Sequence, residues 1–289
     1  MPSRSTRERI AGLTRAELRT LSERLIDALG QRLTHKLVAN SPVDAPNDHV
    51  QLDLYTVDVQ GITSDLAEAA QSLLLADSNQ HAAQLETVRQ AAEQVVQTIP
   101  SAARADFIDG AFCARLITDT VVAVRQAFPD MELAGLTQTA TDGLAALGEA
   151  LNAHPVPHAF DEFIGVMDGT DSLLSNAERR SIVNESLSGW SGEVRARLAE
   201  DWLRERSAWS EAAALVAFAW SRGAEDELER QRVTSSISIY LAESTDVPLM
   251  LGDMHGRAGA IEEARYWLGE GQNRFPGDSQ IEKALQRWT

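Results

Sequence analysis

The sequence predicts an all-α protein. Three observations lead to that class. Leu, Val and Ala recur at three- and four-residue intervals along most of the chain, short Pro-, Gly- and Asx-containing breaks separate segments of helical length, and one stretch alone has strand character.

Residues 13–38 carry the best-defined helical pattern. Thr14 and Glu17 stand at capping-box spacing, and Leu13 with Leu18 is placed for a hydrophobic staple. Leu18, Leu21, Leu25, Leu29, Leu33 and Leu37 then form one apolar stripe. Residues 1–36 hold eight Arg or Lys against four Asp or Glu, so this helix is basic as well as amphipathic. It is expected to dock on the protein's own acidic body or to meet a partner or a second copy of the chain. SPVDAPND (41–48) ends it, because two prolines and several turn formers cannot continue a helix.

HVQLDLYTVDV (49–59) is the stretch with β character, read as extended chain or a minor hairpin because no partner strand is visible. Helical patterns follow at about 64–76, 78–98, 102–127 and 136–152. In the second, Leu85, Val88, Ala92, Val95 and Ile99 keep the alternating three-four spacing of a helix–helix seam. NAHPVPH (152–158) is the next break, and all six tryptophans lie from Trp190 onward. Three regions are therefore expected: a basic amphipathic N-terminal helix and linker (1–48), an acidic helical domain (49–155) and a Trp-containing helical-hairpin domain (156–289). In the last, helices are expected at 158–167, 176–188, 192–206, 208–222, 225–243, 247–257, 260–274 and 278–287. Connections this short imply antiparallel neighbours.

Composition bounds the function. With 44% apolar residues the chain has ample core, and no apolar run approaches the roughly 18 residues of a membrane span. The basic N-terminus lacks the apolar core of a signal peptide, so a cytoplasmic protein is expected. A net charge of −17 repels phosphate and disfavours nucleic acid as a partner. The single cysteine, Cys113, excludes an internal disulfide framework or a Cys-based metal cluster and reads as a small core residue.

Motifs that would carry chemistry are weak. DGTDSLLSNAERR (168–180) departs from a calcium loop at three ligand or glycine positions, while Ser175 and Glu178 stand as a second capping box. His154 and His158, with Asp161 and Glu162 nearby, are metal-type side chains, but Pro155 and Pro157 forbid the helical i,i+4 geometry that would aim both histidines at one ion. Ser191 lies in a sequence only loosely like a nucleophile elbow and is better placed as a helix N-cap. No phosphate-binding or dinucleotide loop is present. The expectation is a protein with no cofactor, no metal and no catalytic constellation. A metal-dependent enzyme built on His154, His158 and Glu162 is kept as an alternative.

One segment has a diagnostic spacing. LGDMHGRAGAIEEARYWLGEGQNRFPGD (251–278) runs large–small–large through Leu251, Gly252 and His255, turns at Gly259, and places Ala264 and Leu268 four apart before Pro276. With this register, residues 245–278 resemble a tetratricopeptide repeat, a helix–turn–helix unit of about 34 residues. Pro248 stands where that repeat carries Trp, His255 where it carries Tyr, and Gly271 where a small alanine is usual. Shifting the register back onto 211–244 gives another helical hairpin, with Arg230 at the small site.

The resemblance implies a helical bundle followed by TPR-like helical hairpins, an α-solenoid-like C-terminal part closed by residues 279–288. It also implies protein–protein recognition by an adaptor, chaperone or assembly subunit. The groove-facing positions map onto Asp246, Leu249, Asp253 and Arg257. Two of these four are aspartates, so a basic or amphipathic partner is expected, and the chain's own N-terminal helix is one such segment, in cis or in a homo-oligomer. A self-assembling structural subunit using that helix is the second reading.

Overall fold

Residues 59–153, 156–206 and 208–288 are described by the computed structural model, all within one compact unit, Val57–Thr289. The amphipathic helix expected at 13–38, the linker at 41–48 and all but Val59 of the β-like stretch lie outside the described residues.

The described chain is all-α and has no strand. Its helices are α1 (Val59–Leu75), α2 (His81–Ala105), α3 (Phe107–Ala127), α4 (Ala134–Asn152), α5 (Pro157–Asp168), α6 (Asn176–Ser186), α7 (Gly192–Arg204), α8 (Glu211–Gly223), α9 (Glu227–Ile237), α10 (Asp246–Arg257), α11 (Ile261–Arg274) and α12 (Ser279–Arg287). A single 3₁₀ turn, Ser238–Tyr240, extends α9.

Local chemistry starts most of them. Ser175 and Glu178 form the expected capping box at α6, each satisfying a backbone N–H of the other. Ser191 caps α7, its Oγ accepting from the Val194 N–H at 3.4 Å. Ser210, Asp226 and Asp278 do the same for α8, α9 and α12. Pro157 opens α5, where its missing N–H has no intrahelical partner to lose.

The break expected between 98 and 102 is not there: α2 runs through Pro100 to Ala105. Ile99, Ala102 and Ala103 are buried on either side of the proline, and core packing outweighs the lost backbone bond. The chain turns instead at Asp106, an extended residue whose carboxylate caps α3 through the Ile108 N–H.

α1 to α4 pack on one another; α5 then rests on α3 and α4, and α6 on α4. One contiguous apolar core therefore runs from Leu66 to Met254 and draws on helices both before and after residues 154–155. α8 is its axis, in contact with α5, α6, α7, α9 and α10. Its run Ala212–Ala217, with Ala219 and Trp220, is buried, and the helix reaches the surface only at Phe218 and at its two ends.

The chain ends in two close-packed hairpins. A Cβ on Gly252 of α10 would lie 2.5 Å from Leu268 Cγ of α11, so only a residue without one lets the helices approach this closely. Gly256 meets the Trp288 indole in the same way after α12 folds back. Gly259, between α10 and α11, has φ +78°, and Gly277, before α12, has φ +85°. Both are left-handed turn positions where a side chain would be strained. Ala264, Leu268 and Ile281 are fully buried between these last helices.

Candidate functional site

Asp246, Leu249, Asp253 and Arg257 form one stripe along α10, because steps of three and four residues return to the same helix face. None of the three charged members stands alone. Arg180 Nη2, from α6, donates to Asp246 Oδ1 at 2.6 Å. Arg222 Nη1, from the last turn of α8, donates to Asp253 Oδ2 at 3.0 Å, and Arg257 Nε donates to the same oxygen at 2.9 Å. Arg287 Nη1, from the end of α12, stands 3.5 Å from Asp253 Oδ1. The Arg257 Nη2 donates onward to the Ser221 carbonyl at 3.1 Å.

Phe218 completes the arrangement. Arg180 lies over its ring at 5.2 Å and Arg222 at 5.8 Å from the centroid, both within cation–π range. A closed frame results. From Phe218 it passes through Arg180 to Asp246, along α10 past Leu249 to Asp253, and back through Arg222. Phe218 and Leu249, its two apolar members, are each only partly buried. Partly exposed apolar side chains set among ordered charges are a common feature of protein-binding patches.

The frame changes the electrostatic expectation. Unpaired aspartates suggested a basic ligand, but both are already held, and four arginines surround these two carboxylates. Arg180, Phe218, Arg222 and Arg287 were not singled out from sequence. Their partners on α10 lie 66, 31 and 34 residues away in the chain for Arg180, Arg222 and Arg287, so no local spacing marks them.

His255, on the same helix, points elsewhere. It is buried, and its Nε2 stands 3.1 Å from Thr234 Oγ1 of α9. Burial lowers its pKa below the ordinary 6.5; the charges of Glu263 and Glu227 pull it up, and that of Arg230 pushes it down.

Of the other candidate residues, Asp161 is occupied by structure. Asp161 Oδ1 accepts from Trp202 Nε1 at 2.9 Å and from Arg206 Nη2 at 2.6 Å, and Arg206 stacks over the Trp202 ring at 3.6 Å. His158 lines a small cavity of about 210 Å³ beside them, and His154 lies outside the described residues. Among the described residues, no three His, Cys, Asp or Glu side chains gather where they could hold a metal. Cys113 is fully buried, and burial, helped by the nearby Asp109 charge, pushes its thiol pKa up to about 12. It is held as the unreactive thiol.

A wider cleft of about 520 Å³ opens between the end of α3 and the start of α4, with Leu174 and Glu178 on its far side. Arg125 crosses it, donating to the Ser172 carbonyl at 3.0 Å and the Thr137 hydroxyl at 3.2 Å. It ties three elements together. No helix of the described residues is long and apolar enough to cross a membrane.

Compared with protein-family models, with curated proteins and with solved structures, the chain finds no match in any of the three.

Proposed function

We propose that the chain is a non-catalytic protein-interaction subunit, an adaptor, chaperone or assembly factor, whose C-terminal hairpins act as a tetratricopeptide-like binding surface. The observation that carries this reading is the frame on α6, α8 and α10, in which Leu249 and Phe218 stay partly exposed beside ordered ion pairs. Surface ion pairs contribute little to stability, whereas a pre-ordered charged rim around apolar anchors lowers the ordering cost of binding a partner segment. The close approach of α10 and α11 at Gly252 supports the same reading, since it packs the helix that carries the stripe tightly on its neighbour.

The test is affinity capture from the native host with the full chain and with Leu249→Asp. The bound protein is identified by mass spectrometry and rebound in purified form. Leu249→Asp is expected to abolish rebinding while leaving the helical circular dichroism and the melting temperature unchanged. Equal rebinding by both proteins removes the α10 face from the binding surface.

A further inference from the structure

We propose that the partner segment captured on the α10 face is acidic, an amphipathic stretch with carboxylates flanking an apolar anchor. This rests on the interaction reading above and reverses the polarity that the α10 residues suggest by themselves.

The reason is the local charge balance. The chain as a whole carries −17, so an acidic ligand is repelled by most of its surface. The frame is an exception: Asp246 compensates Arg180, while Asp253 is shared by Arg222, Arg257 and Arg287. One carboxylate neutralises one guanidinium, so with Arg257 and Arg287 counted the four arginines exceed their two aspartates by two positive charges.

The three arginines on Asp253 are not equally engaged. Arg257 spends its Nη groups on the Ser221 and Arg222 carbonyls at the end of α8. Arg222 is 42% exposed and makes one bond to Asp253, and Arg287 is 65% exposed at 3.5 Å from it. These two guanidiniums border the patch and keep N–H donors for a second carboxylate. Arginine's planar fork suits that role, because it can hold one carboxylate and offer a parallel pair of donors to another. A basic segment would meet two like charges there and would have to compete with them for Asp253.

Two synthetic amphipathic helices, one of Leu and Glu and one of Leu and Lys, test this by fluorescence anisotropy against the full chain. Net charge alone favours the Leu/Lys peptide, so non-specific attraction cannot mimic the expected result. The Leu/Glu peptide is expected to bind about tenfold tighter or more, with an affinity that falls as salt rises. Arg222→Gln with Arg287→Gln is expected to remove that preference. Asp253→Asn, which releases all three arginines, is expected to tighten Leu/Glu binding several-fold, a gain that misfolding would not produce.

Tighter binding of the Leu/Lys peptide, binding of neither, or a preference unmoved by the arginine pair each overturns the acidic partner. If the host partner is lost on Leu249→Asp but kept by the Arg222→Gln, Arg287→Gln protein, the binding face stands and only its polarity is wrong.

Discussion

Pro248 occupies the space that a side chain on Gly271 would need: a Cβ there would lie 2.6 Å from Pro248 Cβ and 2.7 Å from its Cγ. The first turn of α10 tolerates proline because its N–H is not required there. The ring then packs directly on the backbone of α11.

An alanine at Gly271 is therefore expected to act against its usual sign. In an open helix interior, Gly→Ala gains roughly 0.5–1 kcal/mol. Here overpacking adds about 1–3 kcal/mol of strain, and Gly271→Ala is expected to lower urea-unfolding stability by about 1–2 kcal/mol. Adding Pro248→Ala is expected to recover part of that loss, as contacting residues do in a double-mutant cycle. A stabilising Gly271→Ala would show that the helices do not meet as described.

Gly252 and Gly269 form a contrasting pair eased by no such compensation. A Cβ on Gly252 meets Leu268 Cγ, Cδ2 and Cδ1 at 2.5, 2.8 and 2.9 Å, and Leu268 is fully buried with nowhere to move. Gly269, one residue on, has nothing within 4 Å. Gly252→Ala is expected to destabilise by about 1–3 kcal/mol and Gly269→Ala to stabilise by up to about 1 kcal/mol. Thermal melts of the two variants should move in opposite directions.

The buried His255 predicts a one-sided pH dependence. Its folded pKa is lowered by burial, against 6.5 for an ordinary imidazole. Above that value neither the folded nor the unfolded chain protonates it, so it contributes no slope. Below about pH 6.5 the unfolded chain takes up a proton that the folded one resists, and stability falls with pH at up to roughly 1.4 kcal/mol per unit until the folded pKa is passed. His255→Gln is expected to flatten this part of the stability profile, measured by urea unfolding as pH falls below about 6.5. An unchanged slope would assign the acid sensitivity to other groups.

Arg179 is 2% exposed, a buried cation between α6 and α8. Its Nη2 donates to Glu211 Oε2 at 2.9 Å and to Asn176 Oδ1, while its Nε and Nη1 reach no protein acceptor. Removing the carboxylate strands the charge, so Glu211→Ala is expected to lose about 1–3 kcal/mol, toward the low end because Glu211 is 60% exposed. Arg179→Met removes charge and unsatisfied donors together and is expected to be neutral or stabilising. The order of the two urea midpoints checks this.

Much of the helical layout was readable because its signals are local. The Ser175–Glu178 box and the Ser191 cap each involve atoms three residues apart, and both helices begin where those residues predict. The break expected between 98 and 102 does not form because the core around Ile99 and Ala103 decides whether the helix passes Pro100, and local pattern does not carry that core. Pro248 and Gly271 look like two separate departures from the repeat's usual residues. In space they are one packing solution, a large residue and a missing one exchanged across the hairpin. The charge of the α10 face was legible only in half, since Asp246 and Asp253 sit on one helix and their arginines on three others or at its end. A composition-level sign cannot anticipate such pairings.

α12 buries little of itself. Ile281 is its one buried residue, supplemented by the Trp288 indole over Gly256 and by an Arg265 Nε bond to the Trp288 carbonyl at 2.9 Å. A helix so held opens at a free energy well below that of global unfolding, and its amides should exchange with solvent ahead of those in α8. Each such opening carries Arg287 away from Asp253 and bares the Gly256 side of α10. This terminal helix thus sets how many cations the α10 face presents at any moment.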